Sequence, residues 1–326
     1  MTRFLTDTDV RAVFDWHGAI AALRAAYSAP ADDSRLPPRS MARTPGGWLR
    51  TLTGALPNGE VMGAKLIAAS TVGRRATYLI PLFDQQSTEL LALLDGSLIT
   101  GFRTAATSAL AIDALSPAGA LRAAVIGSGF EAQQHVRALA AARELAAVTV
   151  FSPNPASRLR FVESLSDLDV PIGTASGAEA AVAGADVVVC AARSRDERPT
   201  LHGAWLEAGM TVVSIGSTLP EQRELDEEAI GRADLIVADQ PDEVVHQTGD
   251  LIAAQKAGTS IDGKLCSLSD VLSGRASGRP SPEAIVLYKS VGSALQDLAV
   301  AAMCLRRAEE RALGTILPVR LCTVVK

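Results

Sequence analysis

Residues Leu121–His135 read LRAAVIGSGFEAQQH, a β-branched apolar run that enters Gly127-Ser-Gly129-Phe130-Glu131-Ala132 and then a helical pattern. A dinucleotide pyrophosphate needs a tight strand-to-helix turn, bare backbone for close approach, and a small residue where helix meets strand. Gly127, Gly129 and Ala132 supply these in order, with the helix N-terminus aimed at the anion. A lone G-x-G-x-x-A is weak, but here it follows a predicted strand and opens a predicted helix, the context the motif requires. A second strand ending at Val148-Thr-Val-Phe-Ser152 closes about 25 residues after the first glycine, where a ribose-reading side chain is expected. The alternative is a domain of the same build that has lost its ligand.

Working outward, 326 residues suffice for two domains, and 48% hydrophobic with 21% charged residues is ordinary globular material. A net charge of −5 gives no basic footprint for nucleic acid and no polybasic membrane patch. Cys190, Cys266, Cys304 and Cys322 are scattered without a C-x-x-C pair, and His17, His135, His202 and His246 never fall at metal-ligand spacing. No metal site is therefore expected. The N-terminus MTRFLTDTDVRAVFDW carries acids where a signal peptide needs an apolar segment, and the longest apolar runs are too short for a bilayer. The expectation is a soluble, cytoplasmic protein.

Before the glycine turn the rhythm differs. Thr6-Asp7-Thr8-Asp9 offers caps for a short helix, and His17–Tyr27 reads as a second. Strand patterns at Trp48–Thr53, Val61–Ala69, Thr77–Phe83 and Glu89–Asp95 are separated by turn signals and predict a mixed or antiparallel sheet. Ser97–Leu115 is an Ala-rich helix. From Leu121 strands and helices alternate, implying parallel pairing: Ala123–Gly127, Val148–Ser152, Val187–Ala191, Thr211–Ile215, Leu235–Ala238 and Ile285–Tyr288, with helices at Ala156–Leu165 and Glu179–Ala183. A long helix, Ser293–Leu313, and an apolar tail, Ile316–Val325, are predicted to return to the first domain.

Three cations stand in poorly solvated surroundings: Arg39 in Pro37-Pro38-Arg39-Ser40, Lys65 inside an apolar strand, and Arg103 inside the Ala-rich helix. A buried charge is costly unless paired, so an anionic ligand is an attractive partner, and Arg suits bidentate carboxylate recognition. The alternatives are that Lys65 snorkels and that Arg103 pairs with a local acid such as Asp113.

Leu93-Leu94-Asp95-Gly96 leading to Thr100-Gly101-Phe102-Arg103-Thr104-Ala105-Ala106, then the glycine turn, resembles the ornithine cyclodeaminase and mu-crystallin family. Gly63-Ala64-Lys65-Leu66, Gly216-Ser217-Thr218-Leu219-Pro220 with Arg223-Glu224-Leu225-Asp226, Gly249-Asp250 and Lys289-Ser290-Val291-Gly292 are similar to its further blocks, in its order. The resemblance implies an α/β fold. A Rossmann dinucleotide-binding domain would span 118–295, beside a smaller α+β substrate-binding and dimerisation domain made of 1–117 and 296–326, in a homodimer. It implies that Arg39, Lys65 and Arg103 hold a substrate carboxylate, and that Arg103 and Thr104 lie near the cofactor. Lys65, Arg103 and Thr218 are the candidate catalytic residues. The candidate cofactor contacts are Thr104, Gly127, Gly129, Phe130, Glu131, Ala132, Ser152, Asn154, Arg158, Ala192, Lys289 and Ser290.

Thr218 departs from the family's cyclodeaminases, which carry an aspartate there for amine deprotonation and water attack. A hydroxyl cannot be a general base near neutral pH. The substitution favours reduction of a protonated imine, unless the alignment slips and Glu221 or Glu224 takes the role. Around Ser152-Pro-Asn154-Pro-Ala-Ser157-Arg158 no acid appears before Glu163, so NADP(H) is favoured over NAD(H). The expected function is NAD(P)H-dependent reduction of a small cyclic α-imino acid, Δ1-pyrroline-2-carboxylate or Δ1-piperideine-2-carboxylate. The alternatives are an amino-acid dehydrogenase, an ornithine cyclodeaminase, or a non-catalytic, cofactor-loaded binding protein. Met41, Trp48 and Tyr78 are candidates for the part of the pocket that sets ring size.

Overall fold

The computed structural model describes every residue except Met1, Ala31, Arg195, Val319, Arg320, Cys322, Val325 and Lys326. Cys322 and the end of the expected apolar tail, Val325, thus lie outside the described residues. In chain order the elements are β1 (Arg3–Leu5), α1 (Asp7–Val13), α2 (Trp16–Ser28), β2 (Ser40–Thr44), β3 (Gly47–Ala55), β4 (Val61–Ser70), β5 (Arg75–Asp84), β6 (Leu90–Asp95) and α3 (Ser97–Leu115). The middle of the chain forms β7 (Leu121–Ile126), α4 (Phe130–Ala142), β8 (Leu145–Phe151), α5 (Pro155–Ser164), β9 (Ile172–Thr174), α6 (Ala178–Val182), β10 (Val187–Cys190) and β11 (Thr211–Ser214). There follow α7 (Glu227–Arg232), β12 (Leu235–Ala238), α8 (Pro241–Gln247), α9 (Gly249–Lys256), β13 (Leu265–Ser267), α10 (Leu268–Leu272), β14 (Val286–Lys289), α11 (Ala294–Glu310) and β15 (Thr315–Ile316).

The chain divides into one compact unit of 1–103 with 293–326 and a second of 104–292. The first division falls inside α3, not after residue 117 as expected, because the Ala-rich helix is continuous across it; the second lies after Gly292 instead of after 295.

In the first unit, seven strands run in the order β15-β1-β6-β5-β4-β3-β2, antiparallel from β2 to β6, with β1 parallel to β6. Thr6 opens α1 through a capping box with Asp9, satisfying two helix-start donors. Strand periodicity then decides the fate of Lys65. Side chains two apart share a face, so Lys65 joins Val61 and Ile67 on the buried face of β4. Gly63 lies on the same face, where a Cβ would collide with the Pro81 carbonyl oxygen and approach the Leu298 side chain of α11. The glycine in Gly63-Ala64-Lys65 therefore lets β5 and α11 close over the strand. Every residue of α11 from Ala294 to Leu305 is buried, and the helix packs on α2, β3, β4 and β5.

The second unit holds an eight-stranded parallel sheet, ordered β13-β12-β14-β11-β10-β7-β8-β9. Its central strands VVVC, TVVS and VLYK are buried throughout, as strands covered on both faces must be. From β7 the chain winds outward through β8 and β9, then returns to place β10 on the other side of β7. That reversal puts a crevice outside the carboxyl ends of β7 and β10, where open α/β sheets take ligands.

The sequence reading lacks β1, β2, β9, β13 and β15. Four of these have only two or three residues, too few to display an alternation, and β2 is an edge strand with four of its five residues exposed. Helix α11 ends at Glu310, short of Leu313, because Ala312 and Gly314 adopt φ of 53° and 83°. Among the described residues no helix is long and apolar enough to cross a membrane.

Candidate functional site

At the end of β7, Gly127 has φ +115°, and a Cβ there would sit 2.7 Å from the Ala191 carbonyl oxygen and 2.9 Å from the Ala192 Cβ. Only glycine fits a turn wedged against the neighbouring strand's exit. Gly129 caps α4 with no side-chain hydrogen bond, and the space about its missing Cβ is open. The first amides of α4 are therefore bare and approachable, the local chemistry an anion requires. Ala132 is fully buried beneath them, whereas Phe130 is exposed and Glu131 half-buried. These residues fit a dinucleotide's pyrophosphate.

At the end of β8, the Ser152 hydroxyl lies 2.8 Å from that of Ser128, and Asn154 caps α5 by accepting from the Ala156 amide at 2.9 Å. Arg158 folds back to donate to the Ser152 carbonyl oxygen at 2.8 Å and stacks on Phe151 at 5.5 Å. Arg160, which the sequence reading passed over, donates to Ser157 Oγ at 2.8 Å and lines a cavity of about 530 Å³ with Ser128, Gly129, Gln133, Ser157 and Glu163.

The Lys289-Ser290 pair turns inward. Lys289 is fully buried, 2.8 Å from Asp250 Oδ2, and donates to Ser214 Oγ at 2.8 Å. The Ser290 hydroxyl donates to Asp239, whose carboxylate also accepts the Val291 and Gly292 amides. The Lys289 ammonium and the Ser290 hydroxyl thus serve as internal ties.

Glu224 is fully buried on the same side of the sheet. It accepts from Ser214 Oγ at 2.6 Å, the Gly216 amide at 2.9 Å and the Ala192 amide at 3.2 Å. Burial drives its carboxyl up to about 7 despite the nearby Lys289. The exits of β10 and β11 are thereby tied to one carboxyl. Thr218 sits on the second exit, half-buried, with its amide donating to Gln222 Oε1 at 3.0 Å. Glu221 is exposed. His135 is buried between the Glu131 carbonyl and Ser108 Oγ, and desolvation lowers its pKa to about 4, which leaves it neutral.

In the first unit Lys65 and Arg103 do meet, on a residue the sequence reading missed. Asp297 of α11 accepts from Lys65 Nζ at 2.8 Å and from Arg103 Nε at 2.8 Å, both at Oδ1. Arg103 also donates through Nη1 to Gln296 Oε1, and Gln296 donates to the Tyr27 hydroxyl at 2.7 Å. Lys65 does not snorkel, being 1% exposed, and Arg103 pairs with Asp297 rather than Asp113, whose partner is Arg143 at 3.7 Å. Burial, with Arg103 beside it, lowers the Lys65 ammonium to about 8. Asp297 shows in sequence only as an acid beside Gln296 within a mostly apolar run, ALQDLAVAAM.

Arg39, half-buried, precedes β2. Trp48 carries the Arg50 guanidinium 5.0 Å from its ring, Met41 stands opposite Arg50, and Tyr78 stands opposite Ile67. Among the described residues no group of three or more His, Cys, Asp or Glu could hold a metal ion.

With this geometry in view, a family model described as ornithine cyclodeaminase/mu-crystallin family matches residues 41–312. The chain belongs to that family. It is 34% identical to an uncharacterised cyclodeaminase of Sinorhizobium fredii over 69% of this chain and 67% of the relative. It is 31% identical to ketimine reductase mu-crystallin of Mus musculus over 68% and 66%, and 28% identical to Δ1-pyrroline-2-carboxylate reductase of Bacillus cereus over 78% and 80%. A probable ornithine cyclodeaminase from Bordetella pertussis is similar in structure, with TM-score 0.85, 32% identity, and 96% of this chain and 99% of that one covered. The Thermococcus litoralis Δ1-pyrroline-2-carboxylate reductase, solved with NADH and L-proline, shares the fold at TM-score 0.88 and 24% identity, covering 97% and 100%. The fold is α/β, a Rossmann-type dinucleotide-binding unit with a second unit.

Glu224→Ala should cost about 2–4 kcal/mol, because it strands the Ser214 hydroxyl and the Gly216 and Ala192 amides without an acceptor. Denaturant unfolding of the purified variant measures this. A loss below about 0.5 kcal/mol would mean that the three donors find other partners.

Proposed function

We propose that this protein is an NAD(P)H-dependent reductase of small cyclic α-imino acids, Δ1-pyrroline-2-carboxylate or Δ1-piperideine-2-carboxylate, forming proline or pipecolate. The carrying observation is that two buried cations, Lys65 and Arg103, converge on one point of the first unit away from solvent. Convergent buried cations suit a carboxylate ligand. Lys65 contributes a point charge and Arg103 a planar guanidinium, with Arg39 as the third cation of the reading. The glycine turn and the bare start of α4 hold the dinucleotide, which when bound supplies a hydride for the imine carbon. The protonated imine already carries the proton that its nitrogen keeps in the product, so the step needs no general base. Thr218 then orients the substrate or water through its hydroxyl. The retained cations argue against a binding protein without catalysis.

Ornithine cyclodeamination is the second reading, favoured by the names of the Sinorhizobium and Bordetella relatives. Thr218 opposes it, and Glu224, the carboxyl nearest in sequence with a pKa raised toward neutrality, is enclosed by three donors.

An NAD(P)H-oxidation assay on the two cyclic imino acids, with ornithine plus NAD+ as the opposing arm, tests the choice. Imine reduction with no ornithine turnover is expected; ornithine cyclisation would overturn the reading. Lys65→Ala and Arg103→Ala should each lower kcat/KM by at least about a hundredfold, and Thr218→Ala by no more than about tenfold. Because the free Lys65 ammonium loses its proton near pH 8, carboxylate affinity should fall as pH rises through that value, up to about tenfold per unit. Lys65→Arg should flatten that dependence. A KM constant from pH 7 to 9.5 in the parent enzyme would remove Lys65 from carboxylate binding.

We assign NADP(H) over NAD(H), because the segment after β8 offers Arg158 and Arg160 before its first acid, Glu163. With Arg158 held by Ser152 and Phe151, Arg160 is the freer of the two toward a 2′-phosphate. Arg160→Ala should weaken NADPH binding about tenfold and leave NADH binding unchanged, read by quenching of protein fluorescence. Equal effects on the two would refute the assignment.

The assembly we propose is a homodimer built on the sheet of the first unit. Its support is a cavity of about 610 Å³ lined by Met62, Pro81 and Phe83 on β4 and β5, an apolar surface that a second copy would cover. Sedimentation at micromolar concentration should give a dimer, and a monomer would count against it.

A further inference from the structure

Asp297 holds its two cations by a single oxygen. Lys65 Nζ and Arg103 Nε both donate to Oδ1, while Oδ2 is closed off from the surface and meets no hydrogen-bond donor among the described residues. A buried carboxylate oxygen without a donor is costly, and a native structure retains one only where something else satisfies it. At the N-cap of α11, four residues earlier, the Ser293 hydroxyl is likewise buried without a partner. Lys65 from β4, Arg103 from α3 and Arg50 from β3 bring cationic groups to this point, and Asp297 from α11 brings a carboxylate. A bare anion would pair with the cations but leave Oδ2 unsatisfied. A zwitterion offers a carboxylate to the cations and an N–H donor to Oδ2.

We propose that Asp297 Oδ2 accepts the N–H of the substrate's protonated nitrogen, while Lys65 and Arg103 take its carboxylate. Asp297 thereby makes the site select a cyclic α-imino or α-amino acid over a plain carboxylic acid of the same shape. The proposal rests on the imino-acid reading above and adds to it the group that recognises nitrogen. Lys65 and Arg103 both hold Oδ1, which fixes the direction in which Oδ2 is presented. Gln296, anchored on Tyr27, holds Arg103 from its other end. Replacing Asp297 with Asn keeps an oxygen for Lys65 and Arg103 but turns the Oδ2 position into a donor, which opposes an incoming N–H.

The test compares three ring carboxylates, each titrated into the NADPH-saturated full-length chain by calorimetry or ligand-detected NMR. L-Proline carries the charged N–H, cyclopentanecarboxylate has carbon in its place, and tetrahydrofuran-2-carboxylate has an ether oxygen. The parent protein should bind L-proline at least tenfold tighter than either analogue. In Asp297→Asn that preference should collapse to within about threefold, with affinity for cyclopentanecarboxylate unchanged or improved, since one negative charge is gone. Equal weakening of all three ligands would reduce Asp297 to a prop for its cations and overturn the inference, while leaving the imino-acid reading intact. Should Asp297→Asn fail to fold, the parent protein decides alone: tetrahydrofuran-2-carboxylate bound as tightly as L-proline means that no acceptor faces the nitrogen. Failure of the parent protein to bind any of the three removes the imino-acid reading and the inference together.

Discussion

A lysine ammonium taken fully out of water must find a carboxylate, and each unit of this protein is arranged around one such pairing. In the first unit Lys65 meets Asp297, and in the second Lys289 meets Asp250. The two pairs end differently. Lys289 is surrounded by its own network: Asp250 also accepts the Glu224 and Leu225 amides, and Ser214 links the lysine to Glu224. That cluster ties the strand exits together. Lys65 shares its one carboxylate with Arg103 through a single oxygen, and the other oxygen of that carboxylate meets no donor among the described residues.

The framework explains why certain family blocks look functional in sequence while acting as internal ties. Gly249 permits a close approach of the Gln222 and Pro220 carbonyls, and Asp250 follows it directly into the ion pair. Asp226 accepts from the Gly203 and Ala229 amides, capping α7 and holding the loop before β11. Asp239 gathers Ser290, Val291 and Gly292. Each places a charge where several backbone donors converge, and such arrangements are sensitive to any change of length or sign. The glycine turn is different: Gly127 takes a positive φ against Ala191 that only glycine adopts freely, and Gly129 leaves the start of α4 without a side-chain cap and open to an anion.

Cofactor preference shows how one turn of helix changes an assignment. Arg158 and Arg160 differ by two positions, which on a helix is more than half a turn, so they leave α5 on different sides. Arg158 is spent on the Ser152 carbonyl and the Phe151 ring, while Arg160 stays beside the cavity near Ser128 and Gly129. Counting charges after β8 identifies a basic segment but cannot say which guanidinium faces the ribose.

By itself the sequence determined what depends on local chemistry. The glycine turn, the β-branched strands of the second unit, the caps at Thr6 and the long Ala-rich helices were legible, because turn geometry, side-chain period and capping are set within a few residues. Lys65 and Arg103 were legible as cations in apolar settings. Their partner was not: Asp297 lies 232 residues from Lys65 and 194 from Arg103, and only the packing of α11 on β4 brings them to one oxygen. The same holds for Lys289 and Glu224, whose inward orientation follows from strand order and the loops that cover the sheet. Pairing of buried charges is a long-range solvation problem, since it depends on which groups lose water together, and the tertiary structure alone decides that.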